Sequence, residues 1–223
     1  MGSLNSVTII LIIANVLVSL KGFNDFSFFE KYKFNVGAIA RGEKYRMLSS
    51  GFLHTNQMHL FMNMFGLYLF SNQVISGVGE VGYIIVYFAS LIAGSLLSFY
   101  FHKNEYHYTA VGASGAVTGV LYSAILLGPE LKYYFMFLPS HIGTVDLGIK
   151  GYILGIGYLL YTIYAMKKKA DNIGHDAHFG GAIGGYVLTI AMASWLVTEN
   201  LLITGLLAVP IIILFIMRKL GKI

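Results

Sequence analysis

Apolar runs long enough to cross a bilayer recur along this whole chain, and no other feature restricts its fold so strongly. The candidate spans are Ser6–Leu20, Gln57–Val74, Gly82–Phe101, Ala110–Leu127, Leu147–Met166, Gly174–Val197 and Asn200–Met217. Each approaches the ~20 residues that a helix needs to cross a hydrocarbon core ~30 Å thick. Of the 223 residues, 57% are hydrophobic and only 11% charged, against about 25% charged in a soluble domain. The pattern predicts an all-α polytopic membrane protein with seven helices, six of them a core over about 6–197 and the last an addition over about 200–217. One membrane domain spanning residues 1–223 accommodates all of them.

Composition closes several functional classes. There is no cysteine, which excludes disulfides, thiolate metal sites and a cysteine nucleophile. The net charge of +5 comes from 15 Lys and Arg scattered over short loops, not from the single basic face that nucleic acid requires. The apolar run from Ser6 has no basic stretch before it and no small-x-small cleavage site after it, so it reads as a retained first helix and not a signal peptide. "MGSLNS" also fits a myristoylation pattern, but a helix beginning there already anchors the chain. Two loops are long. Lys21 to Asn56 mixes charge with Phe23, Phe26, Phe28, Phe29, Tyr32 and Phe34, the composition of a folded segment at the membrane interface. Pro129 to Asp146 contains the apolar piece Tyr133–Leu138, which is too short to cross.

Polar side chains are costly inside a membrane, so those that remain are candidates for function. His59 and Asn63 stand near the start of the second span, Ser114 near the start of the fourth and His178 near the start of the sixth. Even-numbered helices run in one direction, so these positions share a membrane face and a depth. Gly115 and Gly119 in the fourth span, and the overlapping pairs Gly180/Gly184 and Gly181/Gly185 in the sixth, form the small-xxx-small pattern that lets helix backbones approach closely. That approach is what a Ser–His hydrogen bond of about 2.6–3.2 Å needs.

A serine hydroxyl is a poor nucleophile until a base removes its proton, and His178 is the best-placed base. His59 and Asn63, at i and i+4, share a helix face and can both donate to an oxyanion, with the Ser114 backbone N–H adding a third donor. Each residue alone has a bland reading: a membrane serine usually bonds its own i−4 carbonyl, a histidine at a helix end is usually interfacial, and His59 and Asn63 make a plausible packing pair. Four at matched depth strain that account. His54, His59, His175 and His178 offer imidazoles, but no H-E-x-x-H helix pair exists and the carboxylates are poorly placed for zinc. Asp176 lies two residues from His178, roughly 200° around a helix, and so cannot easily orient its ring. The residues predict a Ser–His dyad with neither metal nor cofactor.

These residues resemble the rhomboid family of intramembrane serine proteases. "GASG" around Ser114, including Gly112 and Gly115, is similar to its nucleophile motif; "HLFMN" resembles its His-x-x-x-Asn oxyanion pair; "AHFGGAIGG" resembles its base helix with following glycines Gly181 and Gly185. Tyr45-Arg46 stands where many members have Trp-Arg. The resemblance runs from Tyr45 to about Gly185, with the motifs in order. It implies a serine endopeptidase acting through an acyl-enzyme, with Ser114 as nucleophile, His178 as base, and His59 and Asn63 as oxyanion stabilisers. It also implies single-span membrane proteins as substrates within a lipid bilayer, and a multi-pass protein of the bacterial inner membrane. The alternative within the resemblance is an inactive rhomboid-like protein that binds membrane clients. Thr118, one turn after Ser114, departs from the pattern: many members carry there an aromatic ring that packs on the base histidine.

Charge is lopsided as well. The first, third and fifth loops and the C-terminal end hold 13 of the 15 Lys and Arg, leaving Lys132 and Lys150 opposite. Positive-inside counting places the catalytic end in the cytoplasm, whereas the resemblance places it outside. The fifth span carries Gly148, Gly151, Gly155 and Gly157 and is followed by the loop Lys167–Ile173. That loop and the adjoining helix end are expected to move and control substrate access.

Overall fold

The computed structural model describes residues 4–134, 139–168 and 174–223. Its helices are α1 (Ser6–Asn24), α2 (Phe26–Tyr32), α3 (Val36–Ala40), α4 (Arg46–Ser49), α5 (Gln57–His102), α6 (Ser114–Leu127), α7 (Gly151–Lys168), α8 (His175–Met192), α9 (Trp195–Glu199) and α10 (Leu201–Lys219). Two-residue strands join them in antiparallel pairs: β1 (Phe34–Asn35) with β2 (Thr109–Ala110), β3 (Lys132–Tyr133) with β6 (Ile149–Lys150), and β4 (His141–Ile142) with β5 (Val145–Asp146). Among the described residues, α1, α5 and α10 are long and apolar enough to cross a membrane, and α6 is a shorter apolar helix.

α5 contains two expected spans, Gln57–Val74 and Gly82–Phe101, as two helical halves. Inside its 46 residues Gly79 leaves helical geometry with φ 75° and ψ 173°, a left-handed conformation that glycine adopts without steric cost. Contacts on either side give the direction of each half. Gly66 faces Val117 and Gly77 faces Leu127, so the first half runs parallel to α6; Gly82 faces Met192 and Gly94 faces Ala177, so the second half runs antiparallel to α8. α6 and α8 are themselves parallel, with Gly115 against Gly181 and Gly119 against Gly185. The chain therefore reverses at Gly79, and the starts of α5, α6 and α8 lie at one end of the bundle.

The boundary differences have local causes. The fourth span begins at Ser114, not Ala110, because Thr109–Ala110 is drawn into the pair with Phe34–Asn35 and Gly112 turns at φ 133°. The fifth begins at Gly151 because Ile149–Lys150 is held extended by Lys132–Tyr133. The sixth ends at Met192, where Ala193 breaks the helix before the short α9. Residues 169–173 of the expected mobile loop, residues 135–138 of the short apolar piece, and Met1–Ser3 of the acylation pattern lie outside the described residues.

The interior is unusually polar and the outside apolar. Thr8, Asn15, Ser71, Ser90, Ser98, Ser123, Thr162 and Thr189 are buried, while Ile10, Leu17, Met58, Leu202 and Ile212 are exposed. A lipid-facing surface gains nothing from hiding leucine, so small polar residues fill helix contacts, and some of them bond across. Asn15 donates to Tyr87 at 3.0 Å, tying α1 to α5, and Thr189 donates to Ser123 at 2.7 Å, tying α8 to α6. The first long loop folds as expected over α2 to α4. Arg46 holds it by donating to the carbonyls of Glu30 and Lys33 at 2.8 and 3.0 Å and pairing with Glu43 at 2.7 Å, which lowers the Glu43 carboxyl pKa. At the opposite end Lys132 pairs with Asp146 at 2.5 Å; with the Gly148 N–H, it draws the Asp146 carboxyl down to about 2.

Candidate active site

Glycines set the distances in the site. A methyl group at Gly181 would clash with the Gly115 carbonyl, and one at Gly185 with the Gly119 carbonyl. At Gly94 it would stand 2.6 Å from the Ala177 carbonyl oxygen, and at Gly180 2.6 Å from that of Ala93. The second half of α5, α6 and α8 thus meet backbone to backbone. Ser114 and His178 are each one residue from this contact, since the position above Gly115 lies 3.2 Å from the Ala177 oxygen.

Ser114 opens α6 and is half-buried. The turn before it is held from three sides: β2 pairs with β1, Gly112 N–H donates to the Ser50 carbonyl at 3.0 Å, and Ala113 N–H donates to His54 Nε2 at 3.3 Å. His54 is fully buried, and its Nδ1 lies 2.8 Å from Ser19 Oγ on α1. Ser19 donates its own proton to the Phe52 carbonyl, so His54 Nδ1 carries a proton toward Ser19 and Nε2 accepts from Ala113. Burial, reinforced by the neighbouring His59, pushes the His54 pKa down to about 3 and keeps this ring neutral.

His59 and Asn63 stand on successive turns at the start of α5. Asn56 caps that helix by accepting from the His59 N–H at 2.8 Å. His59 Nδ1 lies 3.2 Å from Thr55 Oγ1; with the threonine donating, the ring proton resides on Nε2. A methyl at Gly112 would stand 2.8 Å from that Nε2 and 3.7 Å from Ser114 Oγ. Glycine is required there twice, for its positive φ and for this space. Asn63 is buried and donates one amide N–H to the His59 carbonyl at 2.9 Å, which leaves the second for another acceptor.

His59, Asn63, Ser114 and His178 all line one open cavity of about 1400 Å³ at this end of the bundle. Asp176 lines it too: Tyr108 donates to its Oδ1 at 3.5 Å, while its buried Oδ2 makes no hydrogen bond among the described residues, with His102 Nε2 3.6 Å away. What faces His178 Nδ1 is the Tyr158 hydroxyl of α7, at 3.1 Å. Tyr158 also reaches Thr118 Oγ1 at 3.2 Å, and its ring lies near-parallel to the imidazole with centroids 6.5 Å apart. Sequence reasoning missed Tyr158 and the Ser19–His54 tether. The departure at Thr118 was the available signal, because a histidine without the expected aromatic neighbour at that position can take another. Among the described residues no three His, Asp or Glu side chains gather as a metal-holding group.

The rhomboid domain family model matches residues 41–195. The chain belongs to the rhomboid family. It is 34% identical over 154 residues to the Rhomboid protease GluP of Bacillus subtilis (strain 168), which covers 69% of this chain and 27% of that protein. It is 25% identical over 190 residues to the mitochondrial RHOMBOID-like protein 12 of Arabidopsis thaliana, covering 77% and 54%. It is 29% identical over 145 residues to the human mitochondrial Presenilin-associated rhomboid-like protein, covering 62% and 35%. This chain therefore spans between about a quarter and a half of these relatives. Rhomboid membership and the apolar helices make it an integral membrane protein.

Proposed function

We propose that this rhomboid is an active intramembrane serine endopeptidase, with Ser114 as nucleophile and His178 as base. The observation that carries the reading is the convergence of Ser114, His178, His59 and Asn63 on one cavity at the end where α5, α6 and α8 begin. Ser114 Oγ attacks the scissile carbonyl while His178 Nε2 takes its proton. The oxyanion accepts from His59 Nε2–H, the second Asn63 N–H and the Ser114 backbone N–H. His178 then returns the proton to the leaving amine, and water resolves the acyl-enzyme by the reverse sequence. A helical peptide bond is already hydrogen-bonded and shielded, so the substrate is a single-span membrane protein whose helix unwinds at small or helix-breaking residues.

The chain acts as one membrane domain over residues 1–223: six core helices, with α5 counted as two, and α10 as the addition. A bacterial inner membrane suits this reading, and the mitochondrial relatives make the host membrane part of the test. Purified protein in detergent should cleave a model transmembrane substrate and label with a fluorophosphonate. Ser114→Ala should abolish both without loss of fold, since one hydroxyl leaves little cavity. A chelator should change neither. A folded wild type that neither labels nor cleaves would instead be a client-binding protein, and activity lost to chelation and restored by zinc would overturn the dyad.

A further inference from the structure

A base histidine needs its far nitrogen held. In soluble serine proteases a carboxylate does this by accepting from Nδ1–H, which fixes the tautomer that leaves Nε2 open for the serine proton. Here the carboxylate on the same helix, Asp176, faces Tyr108 and His102, and the group at His178 Nδ1 is a phenol on a different helix. Thr118, on the helix of the nucleophile, meets the same phenol oxygen. The three side chains, joined by two hydrogen bonds, come from α8, α7 and α6.

The geometry points to Tyr158 as the positioning residue of this protease: a directed chain from His178 Nδ1–H to Tyr158 Oη, and from Tyr158 O–H to Thr118 Oγ1, holds the base in its active tautomer. This rests on the Ser114–His178 reading. The direction follows from the chemistry. Neutral His178 can accept the serine proton at Nε2 only if Nδ1 carries the hydrogen, so Tyr158 must accept there. Its own proton is then free to go to Thr118, the other oxygen within reach. Once His178 is protonated the same acceptor still faces Nδ1–H, so the chain favours imidazolium as well. The near-parallel rings let Tyr158 occupy the place beside the base that a threonine at position 118 leaves vacant.

The chain also ties the base to α7. Thr118 and His178 stand on two helices locked together through Gly115, Gly119, Gly181 and Gly185, whereas Tyr158 rides on a helix that is bonded to backbone at its start, through the Gly151 and Tyr152 N–H groups, and that around Gly155 packs through the side chains of Leu207 and Ile125. Any shift of α7 that separates the phenol from His178 leaves the nucleophile and base in place and removes only the orientation.

Tyr158→Phe keeps the ring and removes the hydroxyl. We expect kcat and the rate of fluorophosphonate labelling to fall together by about tenfold, the scale of one lost neutral hydrogen bond, with KM unchanged. Because imidazolium loses its acceptor, the acid limb of the kcat/KM profile should move to lower pH; a packing defect alone would lower the rate without moving that limb. Thr118→Val should act in the same direction and more weakly, and the double variant should match Tyr158→Phe, since both substitutions break one chain. If Tyr158→Phe fails to fold, Thr118→Val in folded protein reads the same limb. Wild-type kcat and an unmoved limb, or effects of the two substitutions that multiply, would overturn the role of Tyr158. Wild-type protein that neither labels nor cleaves would overturn the protease reading itself.

Discussion

The contact between α6 and α8 and the contact that α7 makes with both hold opposite parts of one site by opposite means. Between α6 and α8 the closest approach is backbone to backbone: Gly115 meets Gly181 and Gly119 meets Gly185, Thr189 bonds Ser123 farther along, and the second half of α5 closes on both through Gly94 and Ser90. α7 is held by a tyrosine hydroxyl, by Leu207 and Ile125 packed over Gly155, and at its start by β6 paired with β3. Backbone-to-backbone contact fixes distance and tolerates no added atom. Side-chain contact can separate and re-form. Ser114 and His178 lie on the first kind, and the phenol that faces His178 lies on the second.

Adding atoms to the tight seam should have the largest effect. Gly181→Val places its side chain in the Gly115 carbonyl, and neither backbone has anywhere to go. The expected outcome is no folded protein by size-exclusion chromatography in detergent. A folded, active Gly181→Val would show the seam to be as adaptable as α7 and dissolve the contrast. Next in size is restraint of α7. The chain has no cysteine, so cysteines introduced on α7 and on the first half of α5 can be cross-linked cleanly. Cleavage of a transmembrane substrate should slow by about tenfold or more if a lateral opening limits access, while labelling by a small fluorophosphonate should persist. An unchanged cleavage rate would remove α7 from the access route.

How much of this was legible beforehand divides along the same line. The seam was readable, because close helix approach leaves small residues four apart and those of α6 and α8 stand beside Ser114 and His178 in the sequence. The helices were readable as apolar runs, but not their ends. Ala110 and Gly112 look as helical as the residues after them, and only the pairing with Phe34–Asn35 and the hydrogen bonds to Ser50 and His54 hold them extended. The two spans on either side of Gly79 were readable as separate runs, but the tightness of the reversal between them was hidden, because one glycine among several in that stretch carries the turn. Tyr158 was invisible for a plainer reason. A tyrosine in an apolar helix reads as bulk, and its hydroxyl acquires a role only when α7 is set beside α6 and α8, which no spacing along the chain expresses.

A smaller, graded effect should come from His54, which belongs to the fixed side. Its pKa in the fold is about 3, against 6.5 when exposed. The unfolded chain therefore binds a proton that the folded chain refuses. Its contribution to stability is fully present above about pH 6.5 and declines as pH falls toward 3. The melting temperature in detergent should drop between pH 6.5 and 5, above the range where ordinary carboxylates titrate. His54→Gln, which can still accept from the Ala113 N–H but does not titrate, should flatten that drop. An equal slope in both proteins would place the sensitivity elsewhere.

The smallest expected effect tests the other side. Gly157 is exposed on α7, and a methyl group there would meet nothing within 4 Å, whereas one at Gly155 would stand 3.0 Å from Leu207 and 3.2 Å from Ile125. Gly157→Ala should leave the melting temperature unchanged or raise it slightly, since alanine is favoured over glycine in a helix interior by up to about 1 kcal/mol. Gly155→Ala should cost a little, because Leu207 and Ile125 can rotate aside as a carbonyl in the α6–α8 seam cannot. If α7 works by moving as a rigid helix that carries Tyr158, then stiffening it at Gly157 should not alter the rate of substrate cleavage. A cleavage rate that falls while fluorophosphonate labelling holds would mean that α7 bends at Gly157 as it admits substrate, and the moving part would then be half of α7 and not the whole.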